Sequence, residues 1–66
     1  MKLVLNGEDR TFPGLGTIAD LVAHLELDAR KVAVERNLEI VPRSAYQTTV
    51  IADRDRIEIV HFIGGG

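Results

Sequence analysis

Glycine fills the last three positions of the 66-residue chain, Gly64-Gly65-Gly66, directly after the strand-like run Arg56 to Ile63. A compact domain has no use for such a tail, because glycine has the most backbone freedom to lose on ordering. Without Cβ atoms, however, a tail can thread a channel too narrow for any other residue. Extended at about 3.3–3.6 Å per residue, three glycines carry a carboxylate roughly 10 Å beyond the sheet. That carboxylate, on Gly66, is the one reactive group the segment presents. It is a poor electrophile, because a terminal carboxyl ordinarily titrates at about 3.3–3.7 and is anionic at neutral pH. Transfer to the α-phosphate of a nucleotide would give a mixed anhydride, open to attack by an amine, thiol or sulfide. The active site for that step would belong to another protein. A disordered end or a linker leaves the same trace in sequence, so the glycines alone allow both readings.

The rest of the composition excludes most other chemistry. A chain of 66 residues makes one domain. It buries only about 60% of the surface its unfolded form exposes. No room remains for a deep catalytic cavity, so a stand-alone enzyme is not expected. Ten acidic residues against eight basic ones leave no basic patch for nucleic acid. There is no cysteine, hence no disulfide, thiolate metal site or thiol nucleophile. His24 and His61 share no ligand spacing, so no metal and no bound cofactor are expected. Lys2 precedes only three apolar residues before Asn6-Gly7, too few for a signal peptide or a membrane span. A soluble, cytoplasmic chain follows, with no membrane partner.

Several elements must position the tail. Lys2–Leu5 is a strand that stops at Asn6-Gly7, a hairpin signal because both residues tolerate positive φ. Asp9–Phe12 is its return strand, ended by Pro13. Thr17 caps a helix with Asp20 at its third position. Ile18, Leu21, Val22 and Leu25 make one apolar stripe, and the helix is expected to end near Leu27-Asp28. Strands are predicted at Val32–Glu35 and Glu39–Val41, with a turn at Asn37 between them and Pro42 after the second. Ser44–Tyr46 offers at most one helical turn, and Thr48–Ile51 a short extended piece. Asp53–Asp55 is a polar turn before the longest strand, Arg56 to Ile63. One helix covers one sheet face, giving a two-layer α+β domain over 1–63 with a flexible glycine tail at 64–66.

Alternation assigns the faces. Ile57 and Ile59 share one side of the last strand, and Glu58, Val60 and Phe62 the other. The charge at Glu58 marks its side as open. Leu3 and Leu5 then point to the helix, and Lys2 and Val4 to the open face. Val4, Val60 and Phe62 are the candidate apolar patch for docking a partner.

These residues resemble a known family. A hairpin, helix and strands followed by Gly-Gly look like the ubiquitin-like β-grasp, a mixed sheet of four to five strands on one main helix. Within it the chain is most similar to the sulfur carriers of thiamine thiazole biosynthesis, the ThiS family. The matching stretches are Leu5-Asn6-Gly7-Glu8, Thr17–Leu21, Val32–Asn37, Ile40–Ser44 with Tyr46, Asp53–Asp55 and Ile57 to Gly66. The block Asn37 to Arg43 is more telling than the glycines, which many ubiquitin-like proteins share. Arg54 departs from the family's usual Asp-Gly-Asp, which suggests a turn that needs no positive φ.

The resemblance implies that Gly66 is adenylated with ATP and magnesium by a ubiquitin-activating-type adenylyltransferase. Sulfur from a cysteine desulfurase relay would convert it to a thiocarboxylate, which serves thiazole synthase. Gly64 and Gly65 carry over as the part that threads partner active sites. A sulfur carrier for molybdopterin synthesis, or a β-grasp interaction module without tail chemistry, are the alternatives.

Overall fold

The computed structural model describes residues 1–62. β1 (Lys2–Leu5) and β2 (Glu8–Thr11) form an antiparallel hairpin in which Leu5 faces Glu8 across two residues. Asn6 and Gly7 sit at φ of 50° and 80°, the mirror-image turn whose twist matches paired strands. Pairing begins one residue earlier than the sequence suggested. Phe12 lies just outside the strand and is buried in the core, its N–H donating to the Met1 carbonyl at 2.8 Å.

α1 (Ile18–His24) starts as the sequence predicts. The Asp20 N–H donates to Thr17 Oγ1 at 3.3 Å, and the Thr17 N–H donates back to Asp20 Oδ2 at 3.0 Å. The helix stops short of the expected Leu27. Glu26 turns left-handed at φ 59°, and the Leu27 N–H donates to the Val22 carbonyl, closing the end by hydrogen bonds that Gly more often permits. Thr48–Ile51 forms no strand either; Val50 makes one isolated bridge to Thr17. Its backbone serves the helix instead. The Thr49 and Tyr46 carbonyls accept from the Ile18 and Ala19 N–H groups, which have no partner inside the helix.

β3 (Val32–Arg36) and β4 (Glu39–Val41) form a second hairpin through Asn37 and Leu38, again with both φ positive. A 3₁₀ turn at Arg43–Ala45 then delivers Tyr46 into the core, its hydroxyl 3.4 Å from the Val32 carbonyl. β5 (Arg56–His61) enters the middle of the sheet, whose order is β2-β1-β5-β3-β4. It runs parallel to β1 and antiparallel to β3. Leu3, Leu5, Val32, Val34, Ile57 and Ile59 are buried together with Ile18, Leu21 and Val22 of the helix. This is the two-layer α+β arrangement expected, with one covered face and one open face.

The turn before β5 is more than polar. Asp55 is 7% exposed and accepts hydrogen bonds from Arg36 Nε at 2.7 Å, Asn37 Nδ2 at 3.0 Å and the Ala52 N–H at 2.8 Å. Its own carbonyl accepts from the Val4 N–H at 3.0 Å, the first bond between β1 and β5. Burial opposes the charge, but the Ala52, Asn37 and Arg36 hydrogen bonds and the Arg36 charge outweigh it, holding the carboxyl below its usual value. Arg54, next to it, has φ 71°, so the turn does require the left-handed region, contrary to the expectation from its side chain. The surroundings impose that conformation: the Arg54 N–H donates to the Lys2 carbonyl at 2.6 Å, and the Lys2 N–H donates to Asp53 Oδ1 at 2.7 Å.

Two outcomes follow. A group whose folded pKa is depressed stabilises fully above its unfolded value of about 3.9. That stability is lost as pH falls through the folded pKa. Asp55→Asn therefore lowers urea-unfolding stability at neutral pH by about 1.5–3 kcal/mol, and the gap to the parent closes on acidification. Equal gaps at neutral and acid pH would contradict the assigned charge state. Arg54→Gly removes a left-handed penalty of about 1–2 kcal/mol against a glycine entropy cost of about 0.5–1 kcal/mol, so the midpoint of thermal unfolding rises.

Candidate functional site: the end of β5 and the open sheet face

β5 is the element that delivers the chain to its glycines, and its alternation defines what surrounds them. Ile57 and Ile59 are buried toward α1, whereas Val60 and Phe62 stand 59% and 62% exposed. The open face was thus legible from period two. Gly64, Gly65 and Gly66 lie outside the described residues.

Val60 faces Ala33 across the β3–β5 ladder, and the Phe62 N–H donates to the Lys31 carbonyl at 2.9 Å. Val4 occupies the same face of the sheet but is partly buried and paired with Arg56. Four residues of β5 separate that position from Val60, roughly 13 Å at strand rise. Val4, Val60 and Phe62 therefore share a face without forming one contiguous patch. Between them, Glu58 stands directly opposite Glu35, a like-charge pair that strands normally avoid. Neither carboxylate has an ion-pair partner among the described residues.

Ile40, 68% exposed and opposite Glu35 on β4, extends the apolar content of this face. Sequence reading passed over it, although its alternation with buried Val41 was the signal. Leu38 at the hairpin tip is 74% exposed and left-handed at φ 71°, an uncommon position for a bulky side chain.

At the other flank of β5 the partner strand runs out. β1 ends at Leu5, level with Ile57. The Asn6 N–H donates to the Ile57 carbonyl at 2.9 Å, and Asn6 Oδ1 accepts from the Ile59 N–H at 2.7 Å. A side-chain oxygen thus stands where the next strand carbonyl would be. Beyond it a groove of about 220 Å³ is lined by Leu5, Asn6, Arg10, Leu25, Leu27, Ile59 and His61.

No group of three potential metal ligands occurs among the described residues. The one buried carboxylate among them, Asp55, is fully engaged in structure. No described helix is long and apolar enough to cross a membrane.

A five-stranded mixed sheet wrapped on one helix, with its last strand central and leading into a glycine end, defines a ubiquitin-like β-grasp domain. Among solved structures, the thiamine biosynthesis protein ThiS from Geobacter metallireducens superposes with a TM-score of 0.84 at 35% identity, all of both chains being covered. The profile of the ThiS family matches residues 3–66, and the chain belongs to that family. It is 49% identical over 65 residues to the sulfur carrier protein ThiS of Bacillus subtilis, covering 97% of this chain and 98% of that one. It is also 58% identical over 66 residues to a thiazole synthase of Paramagnetospirillum magneticum, spanning about a fifth of that longer protein. A thiazole synthase of Magnetococcus marinus matches at 46%, over a like fraction of its length.

Because Phe62 is mostly exposed, truncating it removes little core. Phe62→Ala shifts the thermal midpoint by less than the loss of a buried aromatic, which costs about 3–5 kcal/mol, would produce. A fall of many degrees would place the ring in the core.

Proposed function

We propose that the chain is a sulfur carrier for the thiazole ring of thiamine, with its chemistry at the Gly66 carboxylate. The end-to-end likeness to the Bacillus subtilis carrier supports this most directly. Two thiazole synthases that contain a stretch similar to the whole chain favour thiazole synthase as acceptor over molybdopterin synthase.

In this reading the chain catalyses nothing. A ubiquitin-activating-type adenylyltransferase binds ATP and magnesium and joins the Gly66 carboxylate to the α-phosphate as pyrophosphate leaves. The terminal sulfur of a persulfide from a cysteine desulfurase relay then displaces AMP to give an acyl disulfide. A thiol reductant cleaves its S–S bond, becoming a disulfide itself and leaving a thiocarboxylate that thiazole synthase consumes. Gly64 and Gly65 keep the approach free of side chains, consistent with the close backbone contact that glycine permits. Val60 and Phe62 are docking contacts, Val4 a more distant one on the same face. The absence of cysteine from the sequence fits a carrier whose only sulfur at the reactive end is the one it delivers. The cytoplasm, where ATP is available, is the setting.

Intact mass tests the proposal. After incubation with the adenylyltransferase, ATP, magnesium and a sulfur donor, one oxygen is replaced by sulfur. Adding a single residue after Gly66 abolishes the change, because the carboxylate is displaced from its place. No mass change with partners active on another carrier, or an unaffected extended variant, would leave a β-grasp interaction module as the better account. Transfer to thiazole synthase, and not to molybdopterin synthase, settles the acceptor.

A further inference from the structure

Beyond the end of β1, one edge of β5 has no strand partner among the described residues. The Phe62 N–H donates to the Lys31 carbonyl and the Asn37 N–H to the Arg56 carbonyl, one at each end of the β3–β5 ladder. Antiparallel alternation then directs the backbone groups of Arg56, Glu58, Val60 and Phe62 toward β3. Those of Ile57, Ile59 and His61 point the other way, toward β1. The Ile57 carbonyl and the Ile59 N–H are met by Asn6. The Ile59 carbonyl and both backbone groups of His61 face the groove where β1 has ended. Unpaired strand edges are templates for another strand.

We infer that thiazole synthase docks by adding an extended segment of its own backbone to this edge of β5, in line with β1 and beyond its end. The inference rests on the sulfur-carrier reading. Thiazole synthase is the occupant because two thiazole synthases contain a stretch similar to the whole chain, and the mode of docking follows from the glycines. Three of the last four residues are glycine and offer no side chain to grip, so a protein can recognise them only through N–H and C=O groups. Strand addition supplies that recognition, and Ile59 and His61 are where the edge of β5 offers it. The groove beside this edge is mixed, with Leu5, Leu25 and Leu27 on one side and Asn6, Arg10 and His61 supplying polar groups, so it suits a segment with both apolar and polar side chains. Asn6 sets the starting point: its amide oxygen occupies the Ile59 N–H, so pairing begins at the Ile59 carbonyl.

Amide hydrogen exchange tests this on the full chain, with the thiazole synthase of the same organism as probe. In the free chain the His61 amide exchanges faster than those of Val60 and Phe62. In the complex its protection rises by about tenfold or more, while those two change little. In parallel, His61→Pro deletes the edge donor without touching the β3 ladder and weakens the complex by about tenfold. If that variant unfolds, the exchange experiment decides alone. An unprotected His61 amide in a complex that delivers sulfur overturns the inference. Protection that grows with the chain's own concentration, without the synthase, also overturns it in favour of a second copy. A parent chain that accepts no sulfur refutes the carrier reading instead, a separate outcome.

Discussion

The buried carboxylate of Asp55 is the constraint on which the sheet depends. It lies where three separate parts of the chain meet: the Ala52 turn, the Arg36-Asn37 end of the β3–β4 hairpin, and the start of β5 beside β1. A charge in so dry a place is tolerated only when hydrogen bonds meet it, and here each donor comes from a segment that must be in register. Arg36 remains about a third exposed at 32%, so solvent screens part of the pair. The coordination matters more than the attraction. It locks a parallel strand, entering last in the chain, between two strands formed earlier.

That insertion explains the functional geometry. A small domain that ended on an edge strand would leave its terminus poorly held. β5 is flanked by β1 at Arg56 and Ile57 and by β3 from Ile57 to His61, so its direction is set before the glycines begin. The asymmetry of the flanks is also informative. β1 is short, and Asn6 terminates it with a side-chain oxygen, which leaves one edge of β5 without a strand partner among the described residues. Exposed Val60 and Phe62 lie on the open face above the same stretch. The strand leading to the glycines, an apolar face and a backbone edge without a partner among the described residues converge on a few residues.

Much of this was legible in the residues. Apolar stripes placed the helix and its face, Asn-Gly placed the first hairpin, and alternation separated Ile57 and Ile59 from Val60 and Phe62. What escaped depended on distant partners. Phe12, expected to end the return strand, lies just outside it in the core, and Tyr46, expected in at most one helical turn, is core as well. Thr48–Ile51 has β-formers, yet its hydrogen bonds go to the start of α1. Arg54 and Glu26 adopt left-handed conformations that their side chains disfavour; a hydrogen bond to the Lys2 carbonyl holds Arg54, and bonds from Glu26 and Leu27 back to the helix carbonyls hold Glu26.

The sequence by itself determined the periodicities, the caps, the two hairpin turns and the bare glycine end, since each follows from side-chain shape and backbone freedom over a few residues. Only the tertiary structure decided that Asp55 is a buried hub and that Val4 stands apart from Val60. It alone revealed that Asn6 ends β1 early enough to leave an edge of β5 unpaired among the described residues. These depend on strand register, and register is set by which distant donors and acceptors can be satisfied at the same time.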